Sequence, residues 1–291
     1  MAVAERDPHT GYLTTGHEWN GITELNTPVP RPIYFFLITT ALFALGYWIL
    51  MPAWPLGVTY TRGLLGIDQR TTVEKALQEA VLDRATWTKR IEAESYEDIR
   101  SDARLMKSVR ETGRALFGDN CAACHGMNAA GGPGFPSLTA TSAIWGNDPD
   151  AVAETIRVGI NSTHPETRTS QMLAFGRDGV LPPKDIDAVV AYVRSLSAAA
   201  GDIPPQAIDA GKTVFSANCA SCHGDEGKGN KELGAPDLTD KAWIYGGDAQ
   251  SIRRSIWGGR QGHMPTWEDR LSPLERKILT LYVLDLGKAG R

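Results

Sequence analysis

Neither sign of charge dominates this chain. Thirty Lys and Arg stand against 34 Asp and Glu, a net charge of −4 over 291 residues. No basic excess is present to meet a phosphate backbone, so nucleic acid is not among the expected partners. Cysteine is scarce, with four in all, and long apolar runs are scarcer, with one. No series of His-bearing apolar spans is present. Glycine (30) and proline (17) are plentiful instead. That composition suits small domains whose loops wrap a group that itself supplies much of the core. The length allows about two domains.

The four cysteines fall in two matching motifs, Cys121-Ala-Ala-Cys124-His125 and Cys219-Ala-Ser-Cys222-His223. Two thiols at this spacing can add to the two vinyl groups of one haem, and the adjacent His can ligate its iron. All four cysteines are then used, and none is left for a disulfide or a nucleophile. A zinc site fits less well. The pairs lie 98 positions apart, and each would need two further ligands. Two disulfides would leave the His after each second Cys unexplained. Two covalently bound haem c groups are therefore expected, one on Cys121 and Cys124, the other on Cys219 and Cys222.

The single long apolar run covers Ile33 to Leu50 without a charge. It reaches the length needed to cross the hydrocarbon core as a helix, and Tyr34, Tyr47, Trp48 and Trp54 are placed for the two interfaces. Pro52 and Pro55 end it. The residues before it are too many and too acidic for a signal peptide. Since c-type haem is attached on the outer side of the membrane, residues 1–32 are expected in the cytoplasm. Everything after a span at 33–51 is expected in the periplasm of a bacterial inner membrane. Residues 52–110 read as a charged linker with one or two amphipathic helices, on the recurrence of Val73, Leu77, Ala80, Arg84, Trp87 and Ile91. Trp87 is a candidate either for a partner subunit or for the helix's own neighbour.

The rest of the chain is a duplication, read as units 111–200 and 201–291. Thr112–Phe117 matches Ala210–Phe215, and Phe135–Thr139 matches Ala235–Thr239. Val189, Tyr192, Val193 and Leu196 match Leu279, Tyr282, Val283 and Leu286, each set at one helix face. Each unit thus opens with a helix leading into its haem motif and closes with another. Gly113 and Gly211 allow those helices to approach, so that Phe117 and Phe215 can meet Tyr192 and Tyr282. The join at Ala198–Pro205 is short, which sets the units side by side.

A second axial ligand closes each iron to substrate. In the first unit the candidates are Met172, Met127, Met106 and His164. Met127 follows His125 too closely, and Met106 precedes the unit. Met172 stands nine positions before Leu181, much as Met264 stands seven before the equivalent Leu271. Met172 and Met264 are the expected ligands opposite His125 and His223. His164 and His263 are their rivals, both read as exposed loop residues.

Tandem Cys-x-x-Cys-His units behind one span resemble the dihaem subunit (CcoP or FixP, subunit III) of cbb3-type cytochrome c oxidases. The stretch Asn20-Gly-Ile-Thr-Glu-Leu-Asn-Thr-Pro-Val-Pro-Arg31 is similar to the segment before the span in that family, with Asn20 and Pro32 departing from its pattern. Gly258–Trp267 is similar to its Met-ligand loop, while Thr169–Leu173 is less typical. The resemblance implies an all-α protein: one transmembrane helix and two tandem cytochrome c domains. It implies electron entry from a soluble or membrane-bound cytochrome c. Electrons would leave toward a monohaem cytochrome c subunit and a haem-copper catalytic subunit, with no oxygen chemistry in this chain. A free-standing membrane-anchored dihaem shuttle and a dihaem peroxidase are the alternatives.

Overall fold

A computed structural model describes residues 5–139, 144–197 and 203–289, with side chains described through 287. Most of the expected join at 198–205 therefore lies outside the described residues. Two compact units emerge, 1–83 and 84–291.

The first unit begins with a hairpin that the sequence reading did not foresee. Strand β1 (Thr14–Trp19) pairs antiparallel with β2 (Ile22–Leu25). Asn20 and Gly21 between them have φ of 51° and 85°. Two successive residues with positive φ match the twist of a two-residue hairpin, and Asn-Gly is the pair best able to adopt them. Helix α1 (Arg31–Leu50) follows, with Pro30 at its N-cap and a proline in its first turn. It starts two residues earlier than expected, because proline is well suited to the first helical positions. Its 20 residues reach about 30 Å at 1.5 Å per residue. None of them is buried, and their mean hydropathy over the best window is 2.0. An apolar helix with no protein cover is compatible with a membrane anchor. Trp48 meets Trp54 edge-on with centroids 4.7 Å apart, just where the helix ends.

Helix α2 (Gln69–Ala93) starts in the first unit and ends in the second. In the second unit its Trp87 and Ile91 pack into a core, so Trp87 covers its own neighbours. Short helix α3 (Tyr96–Ser101) is capped by the Ser95 side chain, which accepts from the Asp98 N–H. Helix α4 (Ala103–Asn120) is capped by Asp102, which accepts from the N–H groups of Arg104 and Leu105. Leu105, Met106 and Val109 are buried. The opening helix thus begins well inside the stretch read as linker, and Met106 belongs to the core.

Short helix α5 (Ala122–His125), α6 (Pro149–Val158) and α7 (Pro183–Ser197) complete the first half. Their counterparts are α8 (Pro205–Asn218), α9 (Ala220–His223), α10 (Ala249–Gly258) and α11 (Pro273–Ala289). Asp148 and Asp248 cap α6 and α10 alike, each accepting from an N–H three residues on.

The halves do not close on themselves. One core joins Phe117 of α4 and Ile156 of α6 to Leu271, Ile278, Leu279 and Tyr282 of the second half. The other joins Phe215 of α8 and Ile252 and Ile256 of α10 to Leu181, Ile186, Val189 and Tyr192 of the first. Phe117 therefore meets Tyr282 at 5.7 Å between centroids, and Phe215 meets Tyr192 at 5.1 Å. The close approaches cross in the same way. A Cβ on Gly113 would stand 2.7 Å from Cβ of Tyr282, and one on Gly211 would strike the Ala188 carbonyl oxygen and lie 2.8 Å from Cβ of Tyr192. Each closing helix is exchanged. Because the apolar pattern is the same in both halves, either closing helix fits either opening one, which is what makes such an exchange cheap.

The chain crosses over at a small hydrogen-bonded ladder. Ile160 and Met264 exchange both backbone bonds at 2.9 Å, and Met172 and Arg260 do so at 2.8 and 3.0 Å. The Asn161 side-chain amide donates to the carbonyls of Ser170 and Gly262. Beside the ladder, Arg157 pairs with Glu154, Glu166 and Glu268, and the His164 ring meets Glu268 at 2.6 Å. Glu268 thereby ties the first half to the second.

Two outcomes follow from this packing. Gly211→Ala forces a methyl group against backbone that cannot step aside, and should cost about 1–3 kcal/mol, read as a lower urea midpoint. Gly118→Ala on α4, whose Cβ would meet only the Met127 side-chain tip at 3.7 Å, should be neutral or slightly stabilising. Separately, His164 and Arg157 hold the Glu268 carboxyl below its ordinary value of 4.5. That contribution is present above about pH 4.5 and is lost as pH falls through the lowered value. Glu268→Gln should therefore show a shallower loss of stability below pH 4.5 in denaturant titrations.

Candidate cofactor site

Both Cys-x-x-Cys-His motifs are built by the same local rule. α4 ends at Asn120, and Cys121 caps it with its N–H donating to the Phe117 carbonyl. One further helical turn, α5, carries the second thiol and the imidazole. α8, Cys219 and α9 repeat the geometry, with φ of Cys121 and Cys219 at −115° and −117°. Within each pair the first thiol is half-buried and the second exposed, and all four are free. Burial, helped by the neighbouring thiol, pushes Cys121 and Cys219 up to about 11.

Each imidazole is held by a proline carbonyl. His125 Nδ1 lies 3.0 Å from the Pro136 oxygen, and His223 Nδ1 lies 3.1 Å from that of Pro236. A carbonyl can only accept, so Nδ1 carries the proton and Nε2 keeps its lone pair. Burial lowers both imidazole pKa values against the opposing pull of those carbonyls, which favours the neutral ring. A neutral, oriented imidazole with Nε2 free is what an iron ligand requires. The two proline segments were matched in the sequence as repeat markers only. Their role depends on a backbone atom, which no residue pattern displays.

The loops from motif to proline are also paired. Gly131 donates to the His125 carbonyl at 2.9 Å, and Gly229 to the His223 carbonyl at 2.8 Å. Around the first motif, Leu116, Ala122, Leu138, Val152 and Met264 are apolar and only partly covered. Around the second, Met172, Phe175, Ala220, Leu238 and Trp243 are in the same condition. An apolar face beside two thiols and one imidazole fits a flat hydrophobic group attached at its edge. The residues present therefore fit haem c.

The structure sorts the sulfur and nitrogen candidates. Met264 packs against the same buried cluster as Cys121 and Ala122. Met172 packs against the same buried cluster as Cys219 and Ala220. Met127 is exposed at 68%. Met106 is buried among α4 and α11 residues. His263 is exposed as expected, with Nδ1 donating to the Asn161 carbonyl at 2.9 Å. His164 is not an exposed loop residue: its side chain is only 10% exposed. Both of its ring nitrogens are occupied, by the Glu268 carboxylate and by the Glu166 N–H.

Two tandem cytochrome c domains, preceded by one apolar helix, are the class that this fold and these motifs define. Residues 110–197 match the family described as "Cytochrome c", and cytochrome c domains bind haem c. Residues 206–283 match "Cytochrome C oxidase, cbb3-type, subunit III", and residues 11–58 match "N-terminal domain of cytochrome oxidase-cbb3, FixP". The chain is 45% identical over 286 residues to a cbb3-type cytochrome c oxidase subunit FixP from Bradyrhizobium sp. strain ORS 278, covering 98% of each. Identity to the FixP subunit of Bradyrhizobium diazoefficiens is also 45%, with 98% of each covered. A CcoP subunit from Azospirillum sp. strain B510 is 41% identical over 296 residues, with 99% of each covered. The chain belongs to the FixP/CcoP family of cbb3-type cytochrome c oxidase subunits.

The asymmetry within each thiol pair is measurable in chain produced without haem attachment. At pH 8, alkylation should label Cys124 and Cys222 first, by peptide mass spectrometry. A thiol raised from 9.0 to about 11 offers about a hundredfold less thiolate, so Cys121 and Cys219 should lag by at least about tenfold.

Proposed function

We propose that this chain is the electron-entry subunit of a cbb3-type terminal oxidase, carrying two haem c groups anchored to the membrane by α1. Cys121 and Cys124 hold one haem and Cys219 and Cys222 the other, through thioether bonds to the vinyl groups. His125 and His223, oriented by Pro136 and Pro236, would ligate the irons through Nε2. Met172 and Met264 would supply the second, sulfur ligands. The bound haem supplies one-electron redox chemistry, and sulfur ligation sets its potential high. The protein's part is to hold the imidazoles neutral and to cover the group with apolar side chains, and a second protein ligand to each iron would leave no position for substrate.

Electrons come from a soluble or membrane-bound cytochrome c. They leave toward a monohaem cytochrome c subunit and a haem-copper catalytic subunit, where oxygen is reduced. The haem units stand in the periplasm and residues 1–32 in the cytoplasm. The observation that carries this reading is the pair of Cys-x-x-Cys-His turns, each with its imidazole held through Nδ1 and each facing an apolar, methionine-bearing core. Family membership over nearly the whole chain supports the assignment to an oxidase.

The intact mature chain should show the mass of two covalent porphyrins, and the double substitution Cys121→Ala with Cys124→Ala should retain one. In mild detergent the haem-staining chain should run with a haem-copper subunit. A chain without covalent porphyrin would overturn the cofactor reading, and one running free of any oxidase would overturn the assignment to the complex.

A further inference from the structure

From Ile33 to Ile67 the chain carries one charge, Arg62. Helix α1 accounts for that only as far as Leu50, so the uncharged character runs well past the span. Resting on the reading of α1 as a membrane anchor, we propose that residues 51–67 form a lipid-inserted wedge. It is set among the headgroups and first acyl carbons of the leaflet in which α1 ends, and the solvated linker starts only at Asp68.

The stretch is built onto α1. The N–H groups of Leu64 and Leu65 donate to the carbonyls of Ile49 and Leu50 at 2.9 and 3.1 Å. These carbonyls are among those that a helix C-terminus leaves without a partner. Gly63 permits the return, since its φ is 71° and a Cβ there would stand 2.4 Å from the Leu50 oxygen. Trp54 rests on Trp48 of the last turn. The chain therefore leaves α1, turns, and comes back to it before α2 begins. A segment tied this way stays at the depth where α1 ends.

Its backbone is satisfied from within. Pro55 and Tyr60 form an antiparallel bridge, with the Leu56 N–H donating to the Thr59 carbonyl at 2.6 Å and the Thr61 N–H to the Trp54 carbonyl at 2.9 Å. The Thr61 hydroxyl accepts from the Trp54 N–H at 3.0 Å. A hairpin bonded to itself can enter a poorly hydrated layer without stranding polar groups.

Its side chains face outward with no protein over them. Val58 at the tip is 101% exposed, Leu64 78% and Leu56 61%, with Trp54 and Tyr60 exposed beside them. Uncovered apolar surface of this density marks an interaction site. Its chemistry is that of a bilayer interface: aromatic rings favour the headgroup level, and the long stem of exposed Arg62 lets its guanidinium reach a lipid phosphate. Charge returns at Asp68, whose carboxylate accepts from the Arg70 N–H at the start of α2.

The test uses the full-length holo chain, extracted with any subunits bound to it and reconstituted into phosphatidylethanolamine–phosphatidylglycerol vesicles. Val58→Cys is labelled with an environment-sensitive fluorophore, and the signal of the unsubstituted chain treated alike is subtracted. Lipids brominated near the headgroup should remove about half of the emission, while aqueous iodide should remove little. Quenching by iodide instead would show a water-facing loop, and protection from both quenchers would show a loop covered by another subunit. Either result would overturn the proposal. The same label at Leu64→Cys should behave like that at Val58→Cys, and quenching there by iodide alone would equally refute the wedge. Ala41→Cys, inside α1, reports on the anchor itself. It should be quenched by lipids brominated near the chain ends. If it is, and Val58→Cys answers only to iodide, the wedge fails while the span stands; if no brominated lipid reaches Ala41→Cys, both fall.

Discussion

The haem-bearing unit depends on one reciprocal contact, an aromatic ring of an opening helix laid against the tyrosine of the closing helix from the other half. Phe117 and Phe215 are both 1% exposed, and their partners Tyr282 and Tyr192 are nearly as covered. Each ring removes enough apolar surface from water to contribute about 2–3 kcal/mol. The contact is possible only because Gly113 and Gly211 put no side chain between the helices. Each contact joins residues from both halves, but the two cores differ in reach: that of Phe215 is built from the continuous stretch 172–256, whereas that of Phe117 brings residues 87–156 together with residues 264–286.

The two Cys-x-x-Cys-His turns are subordinate to that packing. The cysteines and histidines ride on single turns that continue α4 and α8, so the position of the opening helix fixes them. The imidazoles are then oriented by backbone oxygens of Pro136 and Pro236, whose loops are pinned by hydrogen bonds back to the same histidines' carbonyls. Met172 and Met264 lie in the loops before the closing helices, and the ladder at Ile160, Met172, Arg260 and Met264 holds those loops in register.

Much of this was legible from residue identity. The two haem motifs, the apolar helix, the repeat and the four-residue face of each closing helix could be read directly, because each is a local pattern with a local cause. The hairpin at residues 14–25 was also readable, since Asn20-Gly21 is a strong turn signal, but the surrounding polar composition drew attention away from it. The start of α4 was obscured by charge. Arg104, Lys107 and Arg110 make the segment look solvated, although Leu105, Met106 and Val109 between them form a buried stripe. Reading His164 as an exposed loop residue failed for a different reason: its partner Glu268 is 104 positions away.

The sequence alone determined which chemistry the chain can do. Thiol spacing, an adjacent imidazole and two matched methionine loops are covalent and local facts, and the anchor helix follows from hydropathy and length. Only the tertiary structure decided which half completes which core. The duplication makes the Gly, Phe and Tyr pattern interchangeable, so both pairings satisfy it equally well. The choice is made by chain connectivity at the crossing and by the backbone hydrogen bonds formed there, and neither appears in the identity of any residue.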